Sequence, residues 1–169
     1  MPAQNDSDDS SGTITRLLIE EWKTVIQTQM HFNEMIMRLR GMGVGVVTGI
    51  FGAAAYSLQF ERLNLHFGKY NIHAAAPIVF FGITLLIAVF ILDYHYYFKL
   101  LMGAVKRGEE LDKYFKERSP ELLGMTTLIS ESIPEAKARS LLLAFYGIPL
   151  LIGLVFILLI LLGHAPKSE

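Results

Sequence analysis

The sequence predicts an all-α integral membrane protein with three transmembrane helices and a cytoplasmic antiparallel helical hairpin. Three observations carry this. Hydrophobic residues make up 52% of the 169 residues and mean hydropathy is +0.40, whereas soluble domains hold about 45–50% apolar residues. The apolar residues gather in three uncharged runs, each long enough to cross roughly 30 Å of hydrocarbon. The stretches flanking the first two runs on one side carry matching seven-residue apolar stripes.

Residues 1–12 (MPAQNDSDDSSG) are small, polar and acidic. They bury too little surface to fold and read as a disordered tail. Residues 13–169 form one membrane domain. A helix is expected from Ile14 to Arg40, with Leu18, Trp22, Val25, Gln29, Phe32, Ile36 and Leu39 spaced 4-3-4-3. The first span follows at 41–60 and an outer loop at 61–74. The second span covers 75–92, with Pro77 in its first turn, where proline is tolerated. Nothing breaks the helix at Asp93, so it continues as a cytoplasmic helix over 93–118. Ser119-Pro120 punctuates the chain, and residues 120–131 read as a short interfacial helix containing Leu122, Leu123, Met125, Leu128 and Ile129. Ser132 and Glu135 have capping-box spacing ahead of the third span, 141–163. Pro149 should kink that span.

Orientation follows from the basic residues in short flanks. Arg16, Lys23, Arg38, Arg40, Lys99, Lys106, Arg107, Lys113, Lys116, Arg118, Lys137 and Arg139 fall on one side; Arg62, Lys69 and Lys167 fall on the other. Twelve against three places the N-terminus in the cytoplasm and the C-terminus outside, in the inner (plasma) membrane. On the cytoplasmic side a second stripe, Tyr97, Leu101, Ala104, Gly108, Leu111 and Phe115, repeats the 4-3-4-3 spacing. Aligning Arg40 with Asp93 pairs Leu18 with Phe115, Trp22 with Leu111, Val25 with Gly108, Gln29 with Ala104, Phe32 with Leu101 and Ile36 with Tyr97. Charges such as Arg16, Glu20, Lys23 and Glu34 sit on outer positions and cannot reach across such a seam. Ile19, Ile26 and Val105 widen the stripe, which suits a bundle of more than two helices.

The first span has the most distinctive pattern: Gly41, Gly45, Gly49 and Ala53 recur every four residues, with Gly52 beside them. Rows of small residues let helix backbones approach closely in lipid. The row fits packing against the other spans of the same chain, and it fits self-association between chains. No ionisable residue lies inside a span, which argues against proton relays, ion-coupled carriers and voltage sensors. At the inner interface stand Arg38, Arg40, Asp93 and His95; Asp93 has Arg38 or Arg40 at equal depth as partner, and the tyrosines after it form an aromatic belt. With no cysteine, thiol catalysis and cysteine-held metals are excluded. His66 and His73 read as loop histidines. No nucleotide, metalloprotease or hydrolase motif appears, so neither an enzyme nor a cofactor is expected. A net charge of −1 gives no field for nucleic acid. The expected partners are the lipid bilayer, further copies of the chain and a cytosolic protein docked on the hairpin.

The stretch Asp93–Val105, DYHYYFKLLMGAV, together with the layout of spans and cytoplasmic helices, resembles small bacterial membrane proteins of the two-span SLATT-type group. That resemblance implies a pore-forming effector without catalytic residues. The third span and the lack of a fused sensor depart from the group's plan, so a separate protein would have to supply the trigger. The combined expectation is a homo-oligomeric membrane protein gated through its cytoplasmic helices, with a non-catalytic anchor or scaffold as the alternative. Because the chain has no native cysteine, single introduced ones report sidedness. In intact cells a membrane-impermeant maleimide should label Arg62→Cys and spare Lys116→Cys; the opposite pattern would invert the orientation.

Overall fold

The computed structural model describes residues 5–60, 62–67, 70–121 and 124–163, with side chains described from residue 12 onward except at 67, 70, 71 and 163. Lys69, Leu122, Leu123 and Lys167, used in the sequence reading, lie outside this set. The chain is built of helices: α1 (Asn5–Ser57), α2 (Ala75–Leu92), α3 (Phe98–Arg118), α4 (Met125–Ser132) and α5 (Glu135–Gly163). A π-helical turn, Asp93–Tyr97, joins α2 to α3 without interrupting the helical run. Three stretches are long and apolar enough to cross a membrane: Gly12–Ser57, Ala75–Arg118 and Glu135–Leu162.

Several boundaries differ from expectation. The expected cytoplasmic helix and first span are one helix of 53 residues. It begins at Asn5, inside the expected disordered tail, because adding a residue to an existing helix is far cheaper than nucleating one. It ends at Ser57, three residues early. The chain then tightens into i→i−3 bonds, Leu58 N–H to Ala55 O and Phe60 N–H to Ser57 O, which occupy carbonyls that a helix end leaves open. The expected outer loop contains an antiparallel hairpin, β1 (Asn64–Phe67) and β2 (Tyr70–His73), in the register Asn64↔His73 to Phe67↔Tyr70. The short interfacial helix starts at Met125, not 120. Ser132 does not cap α5. It belongs to α4, and its hydroxyl donates back to Leu128 O at 2.8 Å, as serine commonly does inside a helix.

By its contacts the chain forms two compact units. One comprises Met37–His95 and Ala138–Glu169. Its core gathers Ala54, Ala75, Ala76, Val79, Ile83 and Ile160, with Phe51, Ile72, Leu150 and Phe156 packed around them. The Phe51 ring makes the close contacts. A Cβ added to Gly82 of α2 would stand 2.7 Å from Phe51 Cε1, and one added to Gly153 of α5 would stand 3.0 Å from Phe51 Cζ. Glycine at both positions makes room for one ring from α1. His73 fixes the β-hairpin: its Nδ1 accepts from Ala75 N–H at 3.1 Å, which assigns the proton to Nε2, 3.3 Å from Phe60 O. The imidazole thus caps the start of α2 and holds the end of the α1 segment. Polar side chains within the apolar helices turn to their own backbone, as Thr84 does toward Phe80 O.

The other unit comprises Met1–Ile36 and Tyr96–Lys137. Here α1 and α3 run antiparallel and α4 packs on α3. Trp22 Nε1 donates to Asp112 Oδ1 at 2.9 Å, and Gln29 Nε2 donates to Ala104 O at 3.0 Å. Gly108 lies where α1, α3 and α4 come together. A Cβ there would stand 2.7 Å from both Gln29 Nε2 and Thr126 Oγ1. Gly103, five residues earlier on the same helix, has nothing within 4 Å. Gly108→Ala should therefore destabilise by about 1–3 kcal/mol through overpacking. Gly103→Ala should raise stability by up to about 1 kcal/mol through helix propensity. Thermal unfolding in mild detergent separates them, and equal shifts would contradict the packing described.

Candidate functional site: a buried carboxylate at the end of the second span

Asp93 is the first charged residue after the apolar run of α2, and the π turn begins on it. A π turn carries an extra residue relative to α geometry and is frequent at functional sites. The Asp93 side chain is fully buried. An ionised carboxylate in that position costs several kcal/mol unless it is paired and hydrogen-bonded. It has three donors. Arg40 Nε lies 2.6 Å from Oδ2, Arg40 Nη2 lies 3.3 Å from Oδ1, and Tyr146 Oη donates to Oδ2 at 2.9 Å. The two donor residues come from different helices, Arg40 from α1 and Tyr146 from α5, so one carboxylate ties both to the end of α2.

Aromatic rings surround this cluster. Tyr146 packs on Phe90 at 5.3 Å between centroids, and Phe90 stacks on Tyr94 at 5.6 Å. Arg40 lies 5.9 Å above the Phe145 ring, and Arg139 lies 6.0 Å from that of Tyr94. Among the described residues no group of three His, Asp or Glu is placed to hold a metal.

A second carboxylate works the same way in the other unit. Asp112 is 5% exposed. Besides Trp22 it accepts from Thr127 N–H at 3.0 Å and from Thr127 Oγ1 at 3.3 Å. Thr127 is the third residue of α4, whose N-cap position is Gly124. A glycine cannot cap, so Asp112 supplies the missing oxygen from α3. A Cβ on Gly124 would stand 2.9 Å from the Asp112 side chain, so the two residues fit only as a pair.

The structure places the sequence-predicted residues as follows. Of the inner-interface set, Arg40 is the partner of Asp93. Arg38 and His95 are exposed. On the hairpin, Leu18, Trp22, Val25, Phe32, Tyr97, Leu101, Ala104 and Phe115 are half-buried, and Ile36 and Leu111 are buried. The Gln29–Ala104 pairing matches the expected register. Trp22 binds the neighbour of its expected partner. Of the outer charges, Lys23 pairs within α1 with Glu20. Arg107 joins Glu21 at 2.7 Å and Glu110 at 3.0 Å; the hydrogen bond to Glu21, then that to Glu110, holds its guanidinium above the ordinary pKa. These groups are about half exposed, so solvent screens the pairs and they add little to stability.

The small-residue row faces away from its own chain. Gly41, Gly45, Gly49 and Gly52 have no atom within 4 Å of an added Cβ, and Ala53 is exposed. The inward face of α1 is Gly43, Val47, Ile50, Ala54 and Ser57. At 100° per residue the two sets lie roughly 150° apart. Gly43 is the glycine of this span in intrachain contact, 2.9 Å from Val89 Cγ1.

Two functional contacts escaped the sequence reading. Tyr146 sits inside an apolar run and is 53 residues from Asp93. Asp112 lies one residue beyond Leu111, the expected partner of Trp22, and takes the indole N–H in its place. The nearest sequence cue was a lone tyrosine in a leucine-rich span, where its hydroxyl requires a partner. No protein-family model, curated protein or solved structure matches the chain, so functional interpretation rests on these residues.

Asp93→Ala strands Arg40 and should cost about 3–5 kcal/mol, as loss of one member of a buried pair does. Tyr146→Phe removes one hydrogen bond to a charge and should cost about 1.5–3 kcal/mol. Because both act through one carboxylate, the double variant should cost less than the two losses combined. Additive losses in detergent melts would refute the cluster.

Proposed function

We propose that this chain is a membrane protein that assembles with copies of itself through the outward glycine row of α1. The observation that supports this is the split between the two faces of that helix. Gly43 packs against α2, while a Cβ added at Gly41, Gly45, Gly49 or Gly52 would meet nothing within 4 Å and Ala53 is exposed. In lipid an exposed row of small residues offers close backbone contact to another helix, and apolar side chains gain nothing from each other beyond packing. The assembly forms or gates a pore in the cytoplasmic (inner) membrane, lined by small and weakly polar residues. The helices of the Trp22–Asp112 unit form a cytoplasmic hairpin and receive the trigger. The SLATT-type resemblance points in the same direction.

A second reading, an anchor that docks a cytosolic protein, draws on one observation. α4 exposes Met125, Leu128 and Ile129, and Ile133 follows them. Such a stripe also suits the membrane surface.

The test uses Gly45→Leu with Gly49→Leu. A Cβ added at either position meets no other part of the chain within 4 Å, so the fold should be unaffected. Light scattering or native mass in mild detergent should show the wild type as an oligomer and the variant as a monomer. Dye release from liposomes should fall with it. A monomeric wild type, or a variant of unchanged mass, overturns self-assembly. An intact oligomer that releases no dye at any density, and that loses a stoichiometric partner on Ile129→Glu, favours the anchor.

A further inference from the structure

An apolar groove runs between α2 and α5 beside the Asp93 cluster. It encloses about 150 Å³ and is lined by Leu86, Ile87, Phe90, Leu143, Tyr146, Gly147 and Leu150. Its floor is buried Leu86 and Tyr146; its rim, Ile87 and Leu143, is 41% and 50% exposed. The space exists partly because Gly147 has no side chain, and an added Cβ there would meet nothing within 4 Å. Every lining side chain is apolar except Tyr146, and the Tyr146 hydroxyl is already committed to Asp93. The groove therefore suits an apolar occupant that brings no polar atoms to its depth.

One end of the groove is not apolar. The rings of Tyr146, Phe90 and Tyr94 form a continuous ladder, and the Arg139 guanidinium lies over the last of them. Arg139 is exposed and precedes the uncharged run of α5 by two residues. Along α5 it stands about 12 Å from Gly147. The headgroup region on each side of a bilayer is about 5–8 Å deep beyond the hydrocarbon. That spacing sets a cation at headgroup level when Gly147 lies among acyl chains. Cations at this depth attract anionic headgroups.

We infer that the groove holds one acyl chain of an anionic phospholipid whose phosphate is bound by Arg139. This rests on α2 and α5 being membrane spans. A chain released from membranes by alkaline carbonate would fail that reading, and a carbonate-resistant chain without lipid selectivity would fail this one.

The experiment is native mass spectrometry of the full chain, with phosphatidylglycerol and phosphatidylcholine of identical acyl chains supplied in equal amounts. The wild type should retain one lipid per chain, with phosphatidylglycerol favoured about fivefold. Arg139→Gln, at an exposed position, should retain lipid but lose the preference. Gly147→Leu should fill the groove and retain neither lipid. Equal retention of both lipids by the wild type, or a preference that survives Arg139→Gln, overturns the inference. So does a Gly147→Leu chain that melts like the wild type and keeps its lipid, or one that changes oligomeric mass with lipid retention intact, which would make the groove a protein contact. If Gly147→Leu does not fold, Arg139→Gln decides alone.

Discussion

The structure depends on how a charge is kept inside an apolar setting. Asp93 has no exposed surface, and the membrane-like helices around it offer few polar atoms. Its charge is tolerable because Arg40 and Tyr146 reach it from two other helices. The cost of burial is thereby converted into a geometric demand: α1, α2 and α5 must meet at one depth and in one rotation. A hydrophobic substitute could match the stability but would not impose that register. The π turn that starts at Asp93 is part of this arrangement, since an extra residue shifts the helix phase for everything after it.

Asp112 repeats the principle with different chemistry. Its partners are an indole N–H, a backbone N–H and a hydroxyl, and it has no ion-pair partner among them. It joins α1, α3 and α4, as Asp93 joins α1, α2 and α5. Both carboxylates come from the same helical run, Ala75–Arg118. That run is also the most enclosed: 33% of its most apolar stretch is buried, against 17% for the other two. The second of the three runs is therefore the most enclosed by its own chain.

The helices and the continuous run past Asp93 were legible from hydropathy and absent breakers; equal distance from a boundary gave Asp93 two candidate partners, Arg38 and Arg40, of which the structure selects Arg40. The antiparallel register was legible through Gln29 and Ala104, where large meets small. What the pattern could not convey was direction. Gly41, Gly43 and Gly45 look alike in a string, yet one is buried and two are not, because a two-residue step turns a helix by about 200°. Tyr146 was hidden because its partner is 53 residues away. The β-hairpin was hidden because four-residue strands of mixed polarity resemble a loop, and a buried histidine that holds such a hairpin resembles a solvated one.

The Phe51 ring, seated between Gly82 and Gly153, has a mechanical consequence. It acts as a key lying in two keyways cut into neighbouring rods. Turning α1 about its own axis would drive the ring into the backbone of α2 or α5. Independent rotation of that helix is therefore removed from the set of available motions. A rearrangement that keeps the ring seated carries the three helices together as one body.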